Sequence, residues 1–314
     1  LAPISNGLGD LFVSLPALQA LIKTGVPIYL VMRSPLQDGL TERIIGLAGA
    51  VREDEFDENA LGEVDKYFNL RSHPLQSDYI WGSKEFEEKY PGYKIRDVLK
   101  DICRDFGIDA DFDRLCPLPY SRRDEATGKI AFIPGSTGAM KCWPAQRWLQ
   151  LAERLRQSGN EIIVIGQPGN SDETRELIVS GIEHVPTPTL VDAVDVISSS
   201  ACVVGVDTGL MHAAVQQLIP TVALFRYNTM FLRPYRYVAS LSAPRCLDEC
   251  IRREFTEVPN AMLRYENWDI TQSYMYWQTW ECAAEGNEER CMSAISDLAV
   301  FDAVIQLTCS QAVD

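Results

Sequence analysis

Short apolar runs alternate with longer amphipathic stretches along most of this chain. Pro27 to Met32, Lys129 to Pro134, Glu161 to Ile165, Ala201 to Val204 and Thr221 to Phe225 are rich in Ile, Val, Leu and Phe and are bounded by polar or glycine-bearing turns. Each is too short for a helix and reads as a buried strand. Leu1 to Ser5, Ala50-Val51 and Tyr67 to Leu70 are further short strands. Between the runs, apolar residues recur at helical spacing. They predict helices from the turn Asn6 to Asp10 as far as about Lys23, Leu40 to Ala48, Ile95 to Phe106, Pro144 to Gln157, past Gly169 to Ser180, Leu190 to Ser199, Ala213 to Leu218 and Met292 to Leu307. Pro16 should kink or divide the first of these. Residues 71–92 lack periodicity and read as a long loop packed on Tyr79, Trp81, Phe86 and Tyr90. Strand and helix in alternation predict the α/β class with a mostly parallel sheet.

The alternation stops between Asp111 and Thr127, where Cys116-Pro117-Leu118-Pro119-Tyr120-Ser121-Arg122-Arg123-Asp124 is polar and proline-bearing. This stretch reads as a linker between a first domain, residues 1–120, and a second, residues 121–314. Two doubly wound halves then face a central cleft, with ligands expected outside the carboxyl ends of the strands.

Composition narrows the partners. The 314 residues carry a net charge of −15, which argues against general affinity for nucleic acid or an anionic membrane. No apolar run approaches the roughly 20 residues that span a bilayer, and no secretory leader is legible, so a cytoplasmic protein is expected. Leu1 to Ser5 reads as a strand already under way, with a few residues expected upstream.

Four strand-to-helix turns carry candidate chemistry. Gly205-Val206-Asp207-Thr208-Gly209-Leu210-Met211-His212 joins a buried strand to a helix whose first N–H groups suit a phosphate. Thr208 and His212 lie one helical turn apart on one face. The same octapeptide also suits an ordinary turn with a core histidine. In Gly7-Leu8-Gly9-Asp10, Asp10 stands at a helix start, where it serves either as a general base toward a hydroxyl or as a helix cap. Gly135-Ser136-Thr137-Gly138-Ala139-Met140-Lys141 supplies hydroxyls and one point charge, as a phosphate site requires, though it is not a Walker sequence. Gly166 to Glu173 offers Asp172 or Glu173 to a ribose, or simply a surface acid at a helix start.

These stretches, in this order, resemble the lipopolysaccharide heptosyltransferases of glycosyltransferase family 9, which have the GT-B fold of two Rossmann-like domains around a cleft. The resemblance rests on Gly9-Asp10 with Leu15-Pro16-Ala17-Leu18, on Pro134-Gly135 with Lys141-Cys142-Trp143-Pro144, on Asp207-Thr208-Gly209 with His212, and on Pro220 to Phe225. It implies inverting transfer of a heptose-like sugar from a nucleotide-diphosphate donor, typically ADP-heptose, to a hydroxyl acceptor. The acceptor is a saccharide, a lipid-linked saccharide or a protein side chain, and a lipid-linked one would place the enzyme at the inner membrane. Asp10 would be the base; Lys141, Ser136 and Thr137 would hold the donor phosphates with the N–H groups of Thr208 and Gly209. Gly9 would line the donor site, Asp207 would bind donor hydroxyls, and His212 would support the turn. No catalytic metal is implied. The chain departs from the family at Arg226-Tyr227-Asn228, where Gly-Pro is usual, and the ribose acid falls nearer Asn170 in an ungapped reading, leaving Asp172 as the candidate. Two other readings keep the fold: a nucleotide-sugar epimerase, and a non-catalytic scaffold that binds a nucleotide sugar.

Of nine cysteines, Cys103, Cys116, Cys142, Cys202 and Cys309 fall in apolar or helical patterns and read as small buried hydrophobes. Cys246, Cys250, Cys282 and Cys291 form a late cysteine-rich segment, residues 246–291, with looser spacing than common zinc ribbons. A structural iron or zinc, unpaired thiols and disulfides all stay open. The resemblance adds a branch that modifies bacterial autotransporters and binds iron through four cysteines. The aromatic run from Trp268 to Trp280 suits packing of this segment or a homo-oligomer contact. The terminal helix is expected to cross back to the first domain, as such helices do in GT-B proteins.

Overall fold

The computed structural model describes residues 1–4, 7–32, 40–53, 55, 65–117, 128–136, 141–226, 229–243 and 291–310. In the first half, helix α1 (Leu8–Ile22) is followed by strands β1 (Tyr29–Met32) and β2 (Gly49–Arg52), which pair in parallel with Leu30 opposite Ala50. The chain start lies beside β1: Val31 N–H donates to the Leu1 carbonyl at 2.8 Å, and Ala2 N–H donates to the Phe68 carbonyl at 2.8 Å. The strand expected over Tyr67 to Leu70 is reduced to a bridge at Asn69, because the chain turns into a 3-10 helix at Leu70–Ser72.

Helix α1 is not divided at Pro16. The ring removes the bond to the Phe12 carbonyl, at a cost of about 3 kcal/mol. Burial of Leu11, Phe12, Leu15 and Leu18, each worth about 1.5–3 kcal/mol, outweighs that loss. The helix expected from Leu40 to Ala48 is only a 3-10 turn, Thr41–Arg43, since Ile44 is already extended (φ −82°, ψ 100°). Residues 71–92 are less irregular than their sequence suggests. They hold helices α2 (Pro74–Ser77) and α3 (Lys84–Lys89), and Tyr79 meets Phe86 and Tyr90 edge-on, as the aromatic content foretold. Helix α4 (Ile95–Asp105) buries Ile95, Val98, Leu99 and Ile102 at helical spacing.

The second half is one parallel sheet of β3 (Ile130–Ile133), β4 (Ile162–Val164), β5 (Glu183–His184), β6 (Cys202–Val206), β7 (Thr221–Phe225) and β8 (Val238–Ser242). Helices α5 (Ala145–Gln157), α6 (Asp172–Val179), α7 (Leu190–Ser198) and α8 (Gly209–Gln216) make the crossovers, and α9 (Asp297–Ser310) ends the described chain. Spatial order is β5-β4-β3-β6-β7-β8. From β3 the chain winds outward one way, and from β6 the other. The switch point therefore lies between β3 and β6, where such sheets open a crevice at their carboxyl ends.

Side chains alternate across this sheet. Ile130, Phe132, Val204, Val222 and Leu224 face Trp148, Leu151 and Leu155 of α5 and Val300 and Val304 of α9. Ala131, Ile133, Ile163 and Val203 face Val194 and Ile197 of α7 and Ala213 and Ala214 of α8, in a cluster that continues into Leu11, Leu15 and Leu18 of α1. The two small alanines let α1 and α8 pack directly, so one apolar core joins the halves. Cys116 lies at this joint, its carbonyl accepting from Gln19 of α1 at 3.3 Å and from Gln216 of α8 at 2.6 Å. It and Cys309 are exposed rather than buried as expected, whereas Cys103, Cys142 and Cys202 are buried. Residues 118–127, with the expected domain boundary at 120, lie outside the described residues. Helix α9 packs on α5, β6, β7 and β8 of the second half. Two arginines of α5 hold its start, Arg147 Nη1 at 3.1 Å and Arg154 Nε at 2.7 Å from the Asp297 carboxylate. Among the described residues no helix is long and apolar enough to cross a membrane.

Candidate active site

Strand β6 is buried along its whole length and delivers Asp207 at its carboxyl end, beside the switch point. Thr208 is extended (φ −150°, ψ 160°) and α8 begins at Gly209; the Thr208 side chain makes no capping bond. The N–H groups of the first turn of α8 have no partner within the helix. From the loop after β3, Lys141 Nζ donates to Asp207 Oδ2 at 2.9 Å, and Ser136 Oγ donates to the Asp207 carbonyl at 3.2 Å. One turn into α8, His212 Nε2 lies 3.3 Å from Asp207 Oδ1. Arg233, from the loop joining β7 to β8, places Nη1 3.3 Å from His212 Nδ1. Ser136, Lys141, Asp207 and His212 are thus brought together as anticipated. Arg233 was not anticipated: it stands in an irregular loop, and no spacing in the sequence ties it to His212.

Burial opposes ionisation of Asp207, but Lys141 and His212 outweigh it and hold the carboxyl well below the usual range. Burial also lowers His212, with repulsion from Arg233 and Lys141 adding to it and the bond to Asp207 opposing it. The imidazole is therefore neutral. Among the described residues Lys141 and Arg233 bring two cations to the Asp207 cluster, beside the positive end of α8, an arrangement that suits an anion of phosphate type.

The first half meets this cluster through α1. A Cβ placed on Gly9 would stand 2.9 Å from His212 Cδ2, so the imidazole rests on the α1 backbone. Asp10 follows immediately. Its Oδ2 accepts the Gly7 N–H at 2.8 Å, capping the helix, and so the carboxylate stands at the N-terminus of α1 where α1 meets α8. A carboxylate at one helix end beside a cationic pocket at another can take a proton from a hydroxyl while the pocket receives an anionic leaving group.

Asp172 is not brought into this cluster. It is 74% exposed at the start of α6 and pairs with Arg175 at 2.6 Å. Its neighbour Glu173 is buried and accepts from Ser171 Oγ at 3.1 Å, while Ser171 packs on Gly135 at the end of β3. Thr137, Cys246, Cys250 and Cys282 lie outside the described residues. Cys291 opens a 3-10 turn, with Sγ 3.8 Å from the Arg226 carbonyl. Among the described residues no group of three or more His, Cys, Asp or Glu could hold a metal ion.

A lipopolysaccharide heptosyltransferase 1 of Pseudomonas aeruginosa is 27% identical to the chain over 130 residues, 40% of this chain and 35% of that relative, so the match spans about a third of the curated protein's length. Among solved structures, a glycosyl transferase of family 9 from Veillonella parvula superposes with a TM-score of 0.65 at 17% identity, covering 98% of this chain and 96% of that one. The iron-containing dodecameric glycosyltransferase TibC of enterotoxigenic E. coli superposes with a TM-score of 0.62 at 16% identity, covering 99% of this chain and 75% of that one, and it has also been solved with ADP-D-beta-D-heptose. At these identities the structural likeness is one of fold, the GT-B arrangement of two Rossmann-like halves. The family model of glycosyltransferase family 9 (heptosyltransferase) matches residues 64–245, more than half of the chain, and with the fold and the Asp207 turn in place the protein belongs to that family.

Proposed function

We propose that this protein transfers a heptose-like sugar from a nucleotide-diphosphate donor, ADP-heptose in the first instance, to a hydroxyl acceptor with inversion at the anomeric carbon. The observation that carries the reading is the meeting of two helix N-termini, one bearing Asp10 and the other the Asp207, Lys141 and His212 cluster. In this reading Asp10 takes the acceptor's hydroxyl proton as the oxygen attacks the anomeric carbon. The bond from that carbon to the phosphate oxygen breaks, and the nucleoside diphosphate leaves with the electron pair. Lys141, Ser136 and Thr137, with the N–H groups of Thr208 and Gly209, neutralise the charge developing on it, which is where such sites gain most of their rate. Asp207 orients Lys141 and holds donor hydroxyls. Lysine and helix dipole fill the place a divalent metal takes in other transferases.

A saccharide, a lipid-linked saccharide or a protein side chain serves as acceptor, and the same reading puts the protein in the cytoplasm, at the inner membrane if the acceptor is lipid-linked. We further propose that Cys246, Cys250, Cys282 and Cys291 hold a structural iron or zinc and that the chain self-associates; the iron-containing dodecameric relative supports both. Elemental analysis of protein purified without added metal tests the first, and its sedimentation coefficient tests the second. The central test is Asp10→Ala and Asp10→Asn. Transfer should fall about 10²–10⁴-fold, the worth of a general base, while ADP binding persists. Undiminished turnover would remove Asp10 from the mechanism.

A further inference from the structure

We propose that Arg233 is a positioning residue, fixing the tautomer of His212 and through it the seat of the Asp207 carboxylate. The inference goes beyond the reading above and rests on it only for its effect on turnover.

The argument is one of donors and acceptors. Arginine donates and never accepts. With Arg233 Nη1 3.3 Å from His212 Nδ1, that ring nitrogen must present its lone pair. A neutral imidazole then carries its proton on Nε2, which lies 3.3 Å from Asp207 Oδ1 and donates to it. The other carboxylate oxygen, Oδ2, is left to Lys141 at 2.9 Å. Were the proton on Nδ1, two N–H groups would oppose each other and Asp207 would face a bare ring nitrogen. A single guanidinium therefore decides the direction of a chain of bonds from Arg233 through His212 and Asp207 to Lys141.

Arg233 is held as if for that task. It is 4% exposed, and among the described residues no carboxylate makes a direct ion pair with it, Asp207 acting on it only across His212. Its Nε makes no hydrogen bond, so the fork is directed at the imidazole rather than at a counter-ion. Its backbone N–H donates to Ser240 Oγ at 2.9 Å, and its guanidinium lies 5.5 Å from the centre of the Tyr235 ring. The Tyr235 hydroxyl donates to the Phe112 carbonyl of the first half at 3.0 Å. The turn carrying Arg233 also sets Phe231 6.4 Å from Trp81 of the first half. A buried cation with no direct ion pair costs stability, and such groups cluster at functional sites.

The groups facing the imidazole are Asp207 from the turn before α8, Lys141 from the loop after β3, Arg233 itself, and from α1 the backbone of Gly9, with Asp10 next along it engaged on Gly7. Burial and the two cations hold the ring below its ordinary value against the pull of Asp207.

The test uses the three histidines of the full chain. Long-range proton–nitrogen NMR on histidine-labelled protein, assigned with His73→Gln and His184→Gln, should show His212 with a protonated Nε2 and a bare Nδ1 through the neutral range. In Arg233→Met and Arg233→Gln the imidazole pKa should rise, and the acid limb of kcat/KM should move to higher pH with it. Arg233→Lys, which keeps the cation, should leave that pKa low. A proton on Nδ1 in the unaltered chain overturns the proposal, and this readout needs no variant to fold. So does an imidazole that titrates in both neutral variants as it does in the unaltered chain. If instead the Asp10 variants keep full transfer while the NMR result holds, the transfer reading falls and the role of Arg233 stands.

Discussion

Leu8 and Gly209 meet across the two halves so closely that a Cβ on the glycine would stand 2.6 Å from the leucine Cβ. Both atoms belong to the starts of helices, α1 in one half and α8 in the other. This contact, together with that of Gly9 and His212, sets Asp10 beside the cluster around Asp207.

Gly209→Ala should therefore push α1 and α8 apart, because a leucine Cβ cannot swing away as a side-chain tip can. Overpacking of this kind costs about 1–3 kcal/mol. Urea unfolding should show that loss, and transfer should fall further than stability alone explains. Leu8→Gly in the same chain should recover part of both; a double variant no better than Gly209→Ala would mean that the clash lies elsewhere.

Lys141→Met removes the ammonium that Asp207 Oδ2 accepts from at 2.9 Å. Under the proposed mechanism kcat should drop about 10²–10³-fold, the usual worth of one preorganised donor at a developing anion. Steady-state kinetics with a nucleotide-sugar donor checks this, and Lys141→Arg should keep part of the rate.

Stability should decline on the acid side in two stages. The folded chain holds His212 below its ordinary value, so below about pH 6.5 the unfolded chain binds a proton that the folded chain refuses, and folding weakens. Asp207 is held low in the folded state, so its contribution is full above the ordinary carboxylate value of about 3.9 and is lost as pH falls from there through the folded value. Thermal unfolding as a function of pH reads both stages, and His212→Gln should flatten the first and shrink the second, since His212 is one of the groups that hold Asp207 low.

Asp297→Ala should release the start of α9 from α5, leaving Arg147 and Arg154 without their shared carboxylate. Both arginines are partly exposed, so water compensates them in part and the loss should stay near 1–3 kcal/mol. Asp297→Asn should lie between. Chemical denaturation checks the order of the three chains.

Much of the fold was legible because its signals are local. Val203, Val222 and Ile163 lie in unbroken apolar runs, and Val98 and Ile102 repeat at helical spacing, so strands and helices could be named from neighbours along the chain. The failures were also local. Leu40 to Ala48 has a helical pattern but no room to continue past an extended Ile44, and of the two outcomes expected at Pro16 the division of its helix does not occur.

Of the candidate site, Asp10, Lys141, Asp207 and His212 could be singled out because each stands at a strand-to-helix turn, where backbone geometry exposes donors. Asp172 shared that signal, yet it turns to Arg175 in solvent, since nothing in a helix start says which way an acid points. Arg233 had no signal at all. Its loop has neither period nor motif, and only the packing of Phe231 on Trp81 and of Tyr235 under the guanidinium sets its place.

The chain by itself determined which segments are strands, which are helices, and where glycine-bearing strand-to-helix turns interrupt them, because those depend on residues a few positions apart. Tertiary structure alone decided that the first turns of α1 and α8 touch, that Arg233 reaches His212, and that α9 stays with its own sheet. Those outcomes depend on how apolar faces from distant stretches close into one core, and no spacing along a sequence records that.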